Sequence, residues 1–251
     1  MISRIVLTAT TGVFLATSAM AADTQHWTYE GSEGPAHWGE LSHDFATCEA
    51  GDEQSPVDIA NAVKAEPAKI ELHWNPEADW SEANNGHSIQ NNSKNGGYIT
   101  LAGKEYELLQ FHFHAPSEHA LDGERLPMEA HFVHRAEDGN LAVLAVMIKG
   151  GGENDLFQAL MDAAPRKGGE EVEIGKADPS RLLPASQHFY RYQGSLTTPP
   201  CSETVVWTIL KEPVAVSDAA IEEFQDIYAM NARPPCRSPA AAIFSKTDCC
   251  R

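Results

Sequence analysis

Apolar residues along the chain fall in short runs with strand character: 69-KIELHW-74, 98-YITLAG-103, 106-YELLQFHFH-114, 128-MEAHFVHRA-136 and 141-LAVLAVMIKG-150, then 188-HFYRYQG-194 and 204-TVVWTILKEPVAV-216. Several alternate apolar and polar positions, the period of a half-buried strand. Turn signals at Asp122-Gly123 and Asp138-Gly139-Asn140 separate some of them. Helical spacing is confined to two places. Residues 153–163 put Leu156, Phe157 and Leu160 on one face, and Ser217 is a plausible N-cap before Ile221, Phe224, Ile227 and Tyr228. Residues 23–68, rich in Gly, Pro, Asp, Ser and Trp, predict an irregular arm. The expected fold is mostly β (α+β): a single domain on a large, mainly antiparallel central sheet with a few short peripheral helices.

Composition sharpens this picture in two respects. A 42% hydrophobic share among 251 residues is enough to bury a sizeable core. Thirty-six acidic residues against eighteen basic give a net charge of -18, a field that repels phosphate backbones and excludes nucleic acid as a partner class. Arg4, the apolar run Ile5 to Ala19 and Ala19-Met20-Ala21 predict a signal peptide over 1–21, with the working domain in 22–251. No other stretch resembles a membrane span, so a periplasmic or secreted location is expected. Export permits disulfides among Cys48, Cys201, Cys236, Cys249 and Cys250, but spacing alone does not assign them. Asn91-Asn92-Ser93 is a glycosylation sequon, of the kind that also arises by chance.

The chemistry concentrates in 110-QFHFHAPSEHA-120. In a strand, His112 and His114 share one face while Phe111 and Phe113 take the other. The following strand carries His131, which a hairpin-like pairing would set beside them. Three convergent imidazoles are the ligand pattern of a catalytic zinc site. A lone histidine on a strand is usually an ordinary polar residue, and spacing alone leaves the metal about as good a reading as that one. Gln110 and Glu129 each lie two residues before a histidine, on the face from which they could orient its ring.

The segments 26-HWTYEGSEGPAHWG-39, 54-QSPVDI-59, 84-NNGHSIQ-90, 110-QFHFHAPSEH-119, 129-EAHFVH-134, 192-YQGSLTTPPCSE-203 and 231-NARP-234 resemble the motif set of the α-class carbonic anhydrases, in that family's order and most like its secreted bacterial members. The resemblance, over about 26–234, implies reversible hydration of carbon dioxide to bicarbonate and a proton by attack of zinc-bound hydroxide. Zn2+ would sit on His112, His114 and His131, with Gln110 and Glu129 behind them. The resemblance makes Thr197 a donor to Glu118, a pair that orients the nucleophile, and His87 the proton shuttle. Tyr29, Asn85, Gln90 and Thr198 would hold a water chain, with Thr198 bordering the substrate pocket. Val133, Val143, Leu196, Val205 and Trp207 would form the apolar wall for carbon dioxide. His119 reads as a buried structural residue, and secreted members join the positions of Cys48 and Cys201 by a disulfide. Carbon dioxide and bicarbonate are then the small-molecule partners, and a homodimer is a further option because some bacterial members form one.

The chain departs from the family at its end. Cys236 stands where a glutamine is usual, and neither it nor Cys249 and Cys250 has a family role. Two other functions compete. A binding module of this fold would have lost zinc ligands, whereas all three histidines, Glu118 and Thr197 are present. A zinc hydrolase for larger substrates would need a general-base carboxylate beside the ligands, and no HExxH arrangement occurs.

Overall fold

A computed structural model describes residues 26–66 and 69–237. The expected signal peptide and the Cys249-Cys250 tail lie outside the described residues. The arm holds two single-turn helices, α1 (Trp38–Leu41) and α2 (Thr47–Ala50), before strand β1 (Val57–Ile59). Then come β2 (Ile70–Trp74), β3 (Asp79–Asn84), β4 (Ile89–Asn92), β5 (Gly97–Leu101), β6 (Lys104–His114), β7 (Ala120–Leu121), β8 (Met128–Arg135) and β9 (Leu141–Lys149). Helix α3 (Asp155–Ala163) leads to β10 (Glu171–Lys176), β11 (Phe189–Gly194) and β12 (Val205–Ala215), followed by α4 (Asp218–Ile227) and β13 (Cys236–Arg237).

The main sheet runs β10-β3-β4-β6-β8-β9-β12-β11, with β5 joining β6 to β2 off that path. Strand β6 shares one edge between two partners: β5 pairs Lys104 to Glu107 and β4 pairs Gln110 to His112. Its other edge pairs β8 along most of its length. The sheet is mixed, because β9 and β12 run parallel. Parallel neighbours cannot be closed by a tight turn, and the intervening chain holds α3, β10 and β11. A second, small sheet, β13-β1-β7, is parallel throughout and ties the arm to a mid-chain strand and to the last described residues.

The central strand β9 is buried from Ala142 to Ile148, because both its faces are covered. One face carries Leu144 and Val146 into a core with Phe111, Phe113 and Phe132. Helices α3 and α4 close that core: the Phe113 ring centre lies 5.2 Å from Phe157 and 6.3 Å from Phe224. Both are capped by side chains, α4 at the Ser217 read from the sequence. The Asn154 side chain accepts from the Phe157 N–H at 3.0 Å, and the Ser217 hydroxyl from the Ala220 N–H at 3.1 Å. With Phe111 and Phe113 committed to this core, the intervening histidines must point to the opposite face.

Strands β3, β4 and β10 escape the hydrophobic pattern. DWSEAN and IQNN are largely polar, yet Glu82, Asn84 and Asn91 are buried. Asn91 is fully buried on β4, so the sequon cannot carry a glycan in the folded protein. The arm is more ordered than its composition predicts. Trp38 is fully buried and donates its indole N–H to the carbonyls of Thr28 (2.9 Å) and Glu33 (3.0 Å).

Candidate active site

The β6·β8 register sets His112 directly opposite His131, and His114 opposite Glu129. The ring centres lie 4.9 Å (His112–His114), 5.4 Å (His112–His131) and 4.6 Å (His114–His131) apart. One nitrogen from each ring lies within 4.8 Å of the other two.

Each ring is fixed from behind. His112 Nδ1 pairs with Gln110 Oε1 (2.8 Å), His114 Nδ1 with the Asn231 carbonyl (2.7 Å), and His131 Nε2 with Glu129 Oε1 (3.0 Å). All three partners are oxygens, so each of these nitrogens donates. The lone pairs that remain are on His112 Nε2, His114 Nε2 and His131 Nδ1. Burial and the neighbouring histidines push the His112 pKa well below its ordinary value; burial likewise lowers that of His114, against the pull of Glu118. Neutral imidazoles are the form that binds a metal. Among the described residues, neither the buried His114 Nε2 nor Glu118 Oε2 has a hydrogen-bond partner. A buried pair left unsatisfied in this way, among three inward lone pairs, fits a cation.

Glu129 is saturated by protein. Its Oε1 also meets His119 Nδ1 (2.7 Å), and its Oε2 accepts the backbone N–H groups of Glu118 and His119 (2.8 Å each). Burial alone would raise its pKa, but His119 and His131 outweigh it and hold the carboxylate well below the usual range. His119 Nε2 reaches the Tyr192 hydroxyl (2.7 Å), which lies 2.9 Å from Ser55 Oγ. His119 therefore occupies the structural position read for it, and the cluster His119, Glu129 and His131 satisfies itself without a second ion.

Glu118 departs from expectation. Its Oε1 accepts the Arg233 backbone N–H at 2.8 Å. Its Oε2 accepts no hydrogen bond among the described residues and lies 3.5 Å from His114 Nε2 and 3.8 Å from His131 Nδ1. The expected donation from Thr197 is thus not made in this structure, since the carboxylate turns toward the histidine nitrogens. Thr197 itself is buried in the loop between β11 and β12. That loop is pinned by Leu196 N–H to the Ser202 carbonyl (3.0 Å), by Cys201 N–H to the Thr198 carbonyl (2.9 Å) and by the Cys48–Cys201 disulfide.

Toward solvent, His87 stacks on Trp27 with ring centres 3.7 Å apart and 7° between planes. Burial, then His26, lowers its pKa. A cavity of about 220 Å3 opens beside it, lined by Trp27, Tyr29, His87 and Tyr228 among others. Asn85 donates to Gln90 Oε1 at 3.1 Å, and Gln90 pairs with His112 across β4 and β6. A polar row therefore leads from the turn of His87 to a candidate ligand. On the other flank, Val143, Val205 and Trp207 are buried in one apolar cluster, with Val133 and Leu196 packed against it. The Trp207 ring lies 4.8 Å from that of His131.

Two contributors escaped the sequence reading, although both belong to the NARP segment. Asn231 orients His114 with its carbonyl, accepts Ala115 N–H (2.8 Å) with its side chain, and donates to the carbonyls of Phe113 (2.9 Å) and His87 (3.0 Å). Arg233 is fully buried and donates to Gln54 Oε1 (2.9 Å) and to the carbonyls of Ser55 (2.7 Å) and Cys48 (3.1 Å). The asparagine's capacity for four hydrogen bonds is a signal of sorts, but nothing local names its partners.

Comparison with known proteins agrees with this geometry. The family description "eukaryotic-type carbonic anhydrase" matches residues 33–239. A carbonic anhydrase of Nostoc sp. is 42% identical over 225 residues, covering 87% of this chain and 85% of its own. One from Pectobacterium atrosepticum is also 42% identical, covering 86% and 89%. Among solved structures, the α-carbonic anhydrase of Thermovibrio ammonificans in complex with sulfanilamide superimposes with a TM-score of 0.83 at 43% identity, covering 88% of this chain and 98% of that one. Dioscorin complexed with ascorbate also superimposes, with a TM-score of 0.78 at 30% identity, over 87% and 96%. Fold alone does not choose a chemistry. The matched family span, the identities and the three inward histidine nitrogens agree, and the chain belongs to the α-class, eukaryotic-type carbonic anhydrases.

Proposed function

We propose that the chain interconverts carbon dioxide and bicarbonate at a zinc ion held by His112 Nε2, His114 Nε2 and His131 Nδ1. The observation that carries this reading is the set of three free lone pairs, each ring anchored at its other nitrogen by an oxygen acceptor. Zinc held there supplies Lewis acidity, which makes water a nucleophile at neutral pH, the chemistry for which carbonic anhydrases are the general example.

The protein's own groups do the rest. Gln110, Glu129 and the Asn231 carbonyl hold the ligands in one tautomer, so no reorganisation is needed during turnover. Val133, Val143, Leu196, Val205 and Trp207 receive a small apolar substrate without competing hydrogen bonds. Glu118, turning from the histidines to the Thr197 hydroxyl once the cation is present, makes that hydroxyl an obligate acceptor and so orients the nucleophile. Thr198 borders the same pocket. His87, backed by Trp27, takes the released proton along the row of Tyr29, Asn85 and Gln90 and hands it to buffer. Export to the periplasm or beyond, after removal of residues 1–21, agrees with the Cys48–Cys201 disulfide.

Purified full-length protein is expected to contain about one zinc per chain. Its stopped-flow hydration of carbon dioxide should vanish with chelator and return with added zinc. Full activity in a metal-free preparation would sink the assignment.

A further inference from the structure

Between β1 and β2 the chain runs outside both sheets. The Ala60 N–H donates to the Asp58 carbonyl at 3.1 Å, and β2 begins only at Ile70. Residues 61–66, NAVKAE, are all exposed and lie in neither helix nor strand. Val63 is 76% exposed, although valine is among the residues most often buried. Among the described residues no hydrogen bond or ion pair reaches these six. The other long exposed stretch, residues 166–173, is held to the sheet instead. There the Gly169 N–H donates to the Asn84 carbonyl (2.7 Å), the Asn84 N–H to the Glu170 carbonyl (2.9 Å), and Glu171 to Glu173 pair with β3. Lys104, Arg135, Lys149, Lys176, Arg191 and Lys211 all lie within strands. Lys64 is thus a basic residue on backbone that needs no unfolding to extend into a protease cleft.

We propose that the Lys64–Ala65 bond is a cleavage site for endoproteases that cut after a basic residue, and that the cut chain persists as a working two-chain protein. Water adds across this one peptide bond, leaving a carboxylate on Lys64 and an ammonium on Ala65. The arm before the cut is held by contacts that the cut does not touch. Cys48 is joined to Cys201 by the disulfide. The Ser55 N–H donates to Ser195 Oγ (2.9 Å), the Ser195 N–H to Ser55 Oγ (3.0 Å), and Gln54 Nε2 to the Cys201 carbonyl (3.2 Å). Strand β1 stays paired with β7 and β13, and the fully buried Trp38 roots the same segment. Trp27 and Tyr29 therefore remain beside His87 after cleavage. The cut itself does not depend on the zinc reading; the activity of the product does.

Limited digestion of the zinc-loaded full chain with trypsin, without reductant, tests both halves. Mass spectrometry should place the first cut within residues 26–237 after Lys64. The product should run as one band on a non-reducing gel and as two on a reducing gel, the shorter chain carrying Cys48. On gel filtration it should elute with the intact protein and keep its carbon dioxide hydration rate. Lys64→Gln should slow the first cut about tenfold or more, because the remaining sites must open before they are cut. That variant should keep the hydration rate and the thermal midpoint, since Lys64 lies outside the active site. A first cut after Arg166, Lys167 or any other described residue, or an undiminished first cut in Lys64→Gln, would overturn the site. Fragments that separate without reductant, or hydration lost on cleavage of an active chain, would overturn the two-chain product. An intact chain that hydrates no carbon dioxide would instead refute the zinc reading, and the cleavage and elution patterns would still decide this one.

Discussion

Gln110 is the least conspicuous residue of the site and among the easiest to test. Its Oε1 lies 2.8 Å from His112 Nδ1 and fixes which nitrogen faces inward. Gln110→Ala should therefore weaken zinc affinity by about 10- to 100-fold while the fold persists, as measured by chelator competition. Unchanged affinity would mean that the ring needs no anchor. His87 calls for a different readout. His87→Ala should lower kcat about tenfold or more in weak buffer, leave kcat/KM nearly unchanged and recover with added imidazole. A variant that turns over normally at low buffer would show that protons leave by another route. Both residues could be singled out before any fold was known. The role of Asn231 could not, because the ring it orients is 117 positions away.

Elements were legible in proportion to their apolar content. Strands β6, β8, β9 and β12 announce themselves through long apolar or alternating runs, and both longer helices through their spacing, α4 also through its N-cap Ser217. Strands β3, β4 and β10 did not, since polar side chains there are set by tertiary neighbours and not by propensity. The loop between β11 and β12 is the element most exposed to manipulation. Its disulfide to α2 spans 153 positions and ties the substrate-side loop to the arm. Cys48→Ser/Cys201→Ser should cost about 2–5 kcal/mol of stability in urea melts under oxidising conditions. Activity should fall as well, since Thr197 and Thr198 sit on the loop that is released. Loss of stability without loss of rate would separate the arm from catalysis.

Over the whole molecule, two buried groups outside the site contribute to the dependence of stability on pH. Burial raises the Glu82 pKa to about 8, against the opposing pull of Asn91, its neighbour on β4. The folded state thus holds a proton that the unfolded chain releases above the ordinary glutamate range, so stability falls as pH rises from about 4.5 to about 8. Glu82→Gln should raise the thermal midpoint at pH 8 and above, with the gain shrinking toward pH 5. A constant offset across that range would mean that Glu82 is not titrating. His134 contributes to the acid limb. Its Nε2 accepts the Trp74 indole N–H at 3.0 Å and its Nδ1 donates to the Ala142 carbonyl at 3.2 Å, an arrangement only the neutral ring can make. Burial holds its pKa at about 4, so stability falls as pH drops from about 6.5 to about 4.

Period-two alternation is a local property of the backbone. From it alone His112 and His114 share a side and Phe111 and Phe113 oppose them, whatever the rest of the chain does. The ordered motifs carried the family and its chemistry further than spacing could, since spacing left a metal and an ordinary strand equally placed. Everything that depends on two distant segments meeting was settled by packing. The β6·β8 register brings His131 opposite His112, and the Asn231 carbonyl then selects the His114 tautomer. Glu118 faces the ligand nitrogens in place of Thr197. One parallel pair, β9·β12, stands within the otherwise antiparallel main sheet. A sequence specifies such encounters only through the summed burial of its whole core, and no local pattern records which polar atom will be left facing which.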